Sequence, residues 1–101
     1  MIVVSRFRVP ELDRASFEEV AAPAVRLLAA QPGVVGVDFG VNLDDPELWA
    51  LVTRWVDVGS YRRALGSANR IVLWPLLSLA LDEPSAYDDP QSVGQNVPRT
   101  R

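Results

Sequence analysis

The stretch LWALVTRWVDVGSYRRAL, residues 48–65, decides the fold of this chain. Its first half places side chains suited to burial at every second position, which is the period of a strand that buries one face. These positions are Trp49, Leu51, Thr53 and Trp55. Asp57 follows and is placed to cap a short helix whose apolar face is Val58, Tyr61 and Leu65. A strand that leads through an acidic cap into an amphipathic helix indicates a sheet covered by helices.

Upstream of this stretch, the sequence predicts two further strands with a helix between them. Residues 2–9 form the first strand, which Pro10 ends, and residues 34–43 form the second, joined to the third by a hairpin turn at residues 44–47. Helical spacing begins at Asp13, and Ser16 with Glu19 resembles a capping box. Pro23 predicts a kink or a late start of this helix, which should end at residues 31–33.

Downstream, Asn69 is placed to cap a third helical stretch through Leu81, interrupted by Pro75, and residues 83–88 form a short last strand. The order β-α-β-β-α-α-β predicts one α+β domain over residues 1–88, with the ferredoxin-like split βαβ arrangement and helices on one face of an antiparallel sheet. Residues 89–101 are polar and rich in Pro and Gly. We expect them to be a disordered tail or an arm that orders on a partner.

The alternation predicts which residues face the helices. They are Val3, Ser5, Phe7 and Val9 with Val35, Val37, Phe39 and Val41, beside the third-strand positions given above. The opposite face carries Ile2, Val4, Val34, Leu48, Ala50, Val52 and Val56. That face is too apolar to be left in water, so a homodimer packed sheet to sheet is predicted, with Gly36 and Gly40 allowing close approach. Asp38, beside Arg6 and Arg54, reads as an ion pair in preference to an anion site.

Composition excludes several classes of function. The 101 residues carry a net charge of −3 and no Lys, which argues against nucleic-acid binding. The chain has no His and no Cys, so zinc on thiolates and imidazoles, haem on its usual ligands and disulfides are excluded. The sequence also lacks a glycine-rich phosphate-binding loop of the kind that binds a flavin. We therefore expect no cofactor and no metal. Without a long apolar run, we expect a cytoplasmic protein that does not bind membranes.

Three segments carry a resemblance to a known family: VVSRFRVPE at residues 3–11, PGVVGVDFG at 32–40, and the stretch at 48–65. With them, residues 2–87 resemble the antibiotic biosynthesis monooxygenase family of dimeric α+β barrels. The resemblance implies a pocket between sheet and helices. Its haem-degrading branch uses an Asn, a Trp and a His at positions that fall on Ser5, Ala64 and Trp74 here, so this chain departs at all three.

The other branch of the family implies a monooxygenase without metal, flavin or haem that oxidises a hydrophobic, polyketide-type phenolic substrate with dioxygen. By resemblance, the candidate catalytic residues are Tyr61, Trp74 and Ser5, converging with Trp55 around one helix-side cavity. The candidate substrate-binding residues are Trp55, Phe7, Asn69 and Arg70. Each has a structural alternative, since inward aromatics are usually core and Asn69 suits a helix cap. The alternative function is a non-catalytic dimeric barrel that binds a small apolar ligand in a stress or regulatory role.

Overall fold

The computed structural model describes the backbone of residues 1–96 and the side chains of residues 1–93. A 3₁₀ turn at Glu11–Asp13 precedes the first helix. The elements are β1 (Ile2–Arg8), α1 (Arg14–Ala29), β2 (Val34–Val41), β3 (Leu48–Trp55), α2 (Val58–Ala64), α3 (Ser67–Leu77), β4 (Ala86–Tyr87) and α4 (Pro90–Asn96). No helix in this described part of the chain is both long and apolar enough to cross a bilayer.

The four strands form one antiparallel sheet in the order β2-β3-β1-β4. In the β2–β3 hairpin, β2 pairs with one edge of β3. β1 pairs with the other edge of β3, in a register that places Ser5 opposite Leu51. This is the ferredoxin-like arrangement, so the predicted α+β fold is confirmed.

The core lies between the sheet and the helices. Burial alternates along β1 and β3 as predicted, and the inward residues Phe7 and Trp49 meet Phe17 from α1. The Phe17 ring lies 5.3 Å from that of Phe7, 6.0 Å from that of Phe39 and 5.4 Å from that of Trp49. These tilted pairs add to the gain from burial, because aromatic quadrupoles favour edge contacts over flat stacking.

A bulge at the start of β2 corrects the predicted faces. Val34 pairs with Trp55 and Gly36 with Arg54, so Val35 is the extra residue. Val34 therefore packs against the core and Val35 is 61% exposed, the reverse of the prediction. The predicted close approach of a second sheet at Gly36 is also not available. The Arg54 guanidinium already fills the space where a side chain at Gly36 would lie.

The predicted capping box of α1 is wrong. The Ser16 hydroxyl donates to the Asp13 carbonyl at 3.0 Å, and the helix is entered through the 3₁₀ turn. The predicted late start at Pro23 is wrong as well, because α1 includes Pro23 in its interior. The carbonyl of Glu19, which loses its helical donor there, belongs to an exposed residue where water replaces the bond.

Asp57 caps α2 as predicted, since its side chain accepts a hydrogen bond of 2.7 Å from the Ser60 amide. The predicted cap at Asn69 is wrong. Gly66 precedes α3, and Asn69 lies in its first turn, where its amide donates to the Ala64 carbonyl at 2.9 Å and to Gln31 Oε1 at 3.1 Å. Asn69 thus ties the ends of α1 and α2 together.

The last strand is shorter than predicted. Pro84 has no amide to donate, and only Ala86–Tyr87 pairs with β1. Within the expected tail, Pro90–Asn96 is helical, since Asp89 Oδ1 accepts from the Gln91 amide and the Val93 amide donates to the Asp89 carbonyl. Residues 97–101 of that predicted tail lie outside the described residues.

Replacing Phe17 with Ala should destabilise the fold by about 3–5 kcal/mol, because it removes the ring that three others contact. This is a large part of the roughly 5–15 kcal/mol that holds a small domain folded. Urea unfolding measures the change, with Leu12→Ala as control because Leu12 is 98% exposed. Equal midpoints for the two variants would contradict the central place of Phe17.

The cap on α2 predicts a pH effect. The Ser60 amide and hydroxyl hold the pKa of Asp57 below its ordinary value. A lowered folded-state pKa gives stability that is present above the unfolded pKa of about 3.9 and is lost as pH falls through the folded value. Asp57→Ala should therefore lower the melting temperature at pH 7, and its difference from wild type should shrink below about pH 4. Asp82→Ala is the matched control, and a constant difference across this range would contradict the assignment.

Candidate functional site

A small cavity lies between the sheet and α2, where the resemblance implies a pocket. It measures about 30 Å³ and is enclosed mainly by apolar side chains. Its lining residues are Val3, Ser5, Leu28, Leu51, Thr53, Tyr61, Leu65 and Leu77. β1 and β3 supply the floor because Ser5 and Thr53 are inward positions of adjacent strands. The cavity has room for a water molecule but not for an aromatic ring.

Three residues with hydroxyl groups, Ser5, Thr53 and Tyr61, line this otherwise apolar space. Ser5 is 9% exposed, and its hydroxyl makes no hydrogen bond to any residue that the structure describes. Thr53 is occupied, since its Oγ1 accepts from Trp55 Nε1 at 2.8 Å. Tyr61 enters from α2. Buried hydroxyl groups are normally paired, so the Ser5 oxygen is available to a molecule in the cavity.

Burial raises the pKa of the Tyr61 phenol above its ordinary value of 10.0. The group therefore stays protonated near neutral pH and acts as a hydrogen-bond donor and not as a base. Its ring lies 5.9 Å from that of Trp55, which is 2% exposed. Trp55 thus supports Tyr61 from behind and does not line the cavity.

A larger groove opens on the outer side of Leu65 and Leu77. It measures about 300 Å³ and is lined by Leu65, Arg70, Leu73, Trp74 and Leu77. Leu65 and Leu77 line both spaces, so these two side chains form the partition between cavity and groove. Trp74 is 58% exposed, because it lies on the outer face of α3 while Leu73 and Leu76 point into the core.

The predicted convergence of Ser5, Trp55, Tyr61 and Trp74 on one cavity is therefore only partly right. Ser5 and Tyr61 meet, Trp55 stands behind them, and Trp74 lies in the outer groove with Arg70. The structural alternative for Trp74, packing in the core, is not observed either.

Two other candidates lie away from the cavity. Phe7 is fully buried against Phe17 and borders a separate depression of about 350 Å³ near the end of β1. Asn69 uses its amide to join helix ends and lines neither the cavity nor the groove. Both residues have structural contacts that account for their positions.

Sequence reasoning missed Thr53 and the partition formed by Leu65 and Leu77. Thr53 had a usable signal, because a polar residue at an inward strand position must find a partner. The two leucines gave none. Leu65 directly follows α2 and Leu77 ends α3, and only the packing of those helices brings them together.

The residues that the structure describes contain no group of three or more Asp or Glu side chains able to hold a metal ion. Two carboxylates close in sequence to the site are engaged elsewhere. Asp57 caps α2, and Glu83 forms an ion pair of 2.8 Å with Arg6. No carboxylate lines the cavity or the outer groove.

Solved structures share this architecture. SnoaB, a cofactor-independent oxygenase from Streptomyces nogalater, is 27% identical with a TM-score of 0.70, covering 87% of this chain and 91% of that one. A conserved protein from Methanosarcina mazei Go1 is 22% identical with a TM-score of 0.69 and 84% coverage of both chains. Rv0793 from Mycobacterium tuberculosis is 18% identical with a TM-score of 0.67, covering 84% of this chain and 86% of that one. The last two show the fold alone.

No curated protein sequence is significantly similar to the chain. A family model described as antibiotic biosynthesis monooxygenase matches residues 1–70, which includes β1, the β2–β3 hairpin, α2 and the start of α3. The match covers more than half of the chain and contains Ser5, Thr53 and Tyr61. The chain therefore belongs to the antibiotic biosynthesis monooxygenase family.

Proposed function

We propose that this protein is a cofactor-independent monooxygenase that oxidises a hydrophobic, polyketide-type phenolic substrate with dioxygen. The observation that carries the proposal is the pair of Ser5 and Tyr61 hydroxyl groups in an apolar cavity of a chain of this family. Such groups stabilise negative charge on a substrate most effectively where water is excluded. The likeness to SnoaB, a cofactor-independent oxygenase, supports the same reaction class.

The reaction needs little from the protein beyond this environment. A ring CH₂ loses a proton and gives a carbanion delocalised onto the neighbouring oxygen. The carbanion supplies the electrons that reduce dioxygen, and protonation gives a hydroperoxide. Loss of water from the hydroperoxide leaves a carbonyl, so one CH₂ and one O₂ become one C=O and one H₂O. The developing oxyanion is the charge that hydroxyl donors stabilise.

The surroundings of the cavity define the role of Tyr61. No carboxylate lines the cavity, and the raised pKa of Tyr61 keeps its phenol protonated. We therefore assign Tyr61 as a donor to the substrate oxyanion, with Ser5 as a second donor. The first proton then passes from an already acidic substrate to a solvent water molecule, without a side-chain base.

Substrate entry requires a change at the partition. The inner cavity of about 30 Å³ cannot hold a ring, whereas the outer groove of about 300 Å³ lies at the lower end of small-molecule sites. Rotation of Leu65 and Leu77 would join the two spaces. A planar substrate would then reach Ser5 and Tyr61 while its far end stays against Trp74.

We propose in addition that two copies pack through the open face of the sheet. Val4, Ala50 and Val52 lie there half-buried without a covering helix in the described chain. Arg54 pairs with Asp38 at 3.2 Å, as predicted for this face, which leaves its apolar part free of unpaired charge. A second sheet would cover the apolar patch.

The Tyr61→Phe variant should lower the turnover number by about 100- to 1,000-fold, because it removes one donor to the oxyanion and keeps the ring. Oxygen uptake with a panel of anthrones and hydroquinones is the measurement, and melting temperature checks the fold. Tyr87→Phe is the matched control, since the Tyr87 hydroxyl bonds only to the Pro84 carbonyl.

Unchanged turnover in Tyr61→Phe would remove the role assigned to its hydroxyl. Absence of oxygen uptake by the wild type with every member of the panel would overturn the oxygenase proposal. Binding without oxygen uptake would favour the non-catalytic ligand-binding function instead.

The open face predicts the behaviour of Ala50→Glu. A carboxylate at the centre of a sheet-to-sheet interface loses its water without gaining a partner, so this variant should sediment as a monomer or aggregate. The wild type should sediment at twice the monomer mass. Leu12→Glu, on an exposed position remote from the sheet, should keep the wild-type mass. A stable wild-type monomer would contradict the interface.

A further inference from the structure

The outer groove combines an aromatic wall with a single charge. Trp74 is exposed on α3, and the Arg70 guanidinium carbon lies 5.9 Å from the centre of its ring. This is within the range of a cation–π contact, which holds Arg70 against the groove wall. The remaining lining consists of three leucines. A planar apolar molecule fits this lining, with Arg70 as the one polar group that can orient it.

Arg70 has no acceptor of its own. Among the residues that the structure describes, no carboxylate, carbonyl or hydroxyl oxygen accepts a hydrogen bond from it. Arg6 and Arg8 differ, since Arg6 pairs with Glu83 and Arg8 with Asp45 at 2.8 Å each. A guanidinium carries five N–H donors in a fixed plane, a shape that matches a carboxylate with two parallel bonds.

The charge of the groove is opposite to that of the chain. The protein carries a net charge of −3, yet no acidic side chain lines the groove and Arg70 contributes its only charge. Arg70 is exposed, so its attraction for a bound anion is that of a surface charge and falls as the salt concentration rises. A neutral ligand of the same shape would gain the stacking but not this attraction.

From this combination we infer that the outer groove selects planar aromatic acids, and that Arg70 is the residue that distinguishes them from neutral aromatics. Trp74 supplies the stacking surface and Arg70 binds the carboxylate. The inference rests on the proposed function in treating the groove as the entrance for the substrate. It adds that the substrate carries an acidic group at the end remote from Ser5 and Tyr61.

Binding of a matched pair of probes tests the inference. Anthracene-2-carboxylate and anthracen-2-ylmethanol share the ring system and differ in charge, and calorimetry gives their dissociation constants. Arg70→Gln should weaken binding of the carboxylate about tenfold, which is the lower range for a hydrogen bond to a charged group. The dissociation constant of the alcohol should change by no more than about twofold. Arg70→Lys should restore part of the loss, because it keeps the charge but not the planar fork.

Two further variants separate charge from stacking. Trp74→Leu should weaken both probes by similar factors, since both stack on the indole. Arg26→Gln removes the same charge from an exposed position on α1 outside the groove and should leave both constants unchanged. Raising the salt concentration should weaken the carboxylate only.

The inference is overturned if the wild type binds neither probe, if it binds both equally, or if Arg70→Gln weakens both alike. These outcomes are separate from the fate of the oxygenase proposal. Selective binding of the acid without oxygen uptake by any substrate would reject the oxygenase and keep the assignment of Arg70. Oxygen uptake that does not depend on an acidic group in the substrate would keep the oxygenase proposal and reject the assignment of Arg70.

Discussion

The packing of Phe17 against the sheet is the contact on which the rest of the structure depends. Its ring meets Phe7, Phe39 and Trp49 and thereby fixes α1 over three strands at one end of the core. The Trp49 Nε1 is the one polar atom among these four rings, and it has no acceptor among the described residues. At the other end, Ser5 and Thr53 stand in place of aromatics on the same strands, and the core contains a small cavity with a mainly apolar lining. One sheet face therefore carries both the stabilising cluster and the candidate site.

This division places the candidate chemistry on rigid elements. Ser5 and Thr53 lie on paired central strands, and Tyr61 follows from a helix whose start is fixed by the Asp57 cap. Trp55 supports the Tyr61 ring, and its own indole is held by Thr53. A hydroxyl positioned in this way loses little freedom when it meets an oxyanion, which is the condition for electrostatic stabilisation to act.

The chain contains no His, so no imidazole can transfer a proton at the candidate site. With a protonated Tyr61 and no carboxylate in the cavity, its side chains supply donors but no base. Such a site suits substrates that are acidic by themselves, and an acidic aromatic guided by Arg70 would belong to that class. The arrangement also agrees with the departures at Ser5, Ala64 and Trp74 from the haem-degrading branch of the family.

The sequence by itself determined the order of the elements along the chain, the inward positions of β1 and β3 and the cap at Asp57, because alternation and capping depend only on neighbouring residues. The resemblance of three segments indicated the family. It also singled out Ser5 and Tyr61. Only the tertiary structure decided the rest. The bulge at Val35 exchanges two side chains between faces, and the Arg54 side chain fills the space beside Gly36. Asn69 bonds to Gln31 and Ala64, and Trp74 is separated from Tyr61 by Leu65 and Leu77. Each of these outcomes depends on contacts between segments far apart in the chain, which local spacing does not record.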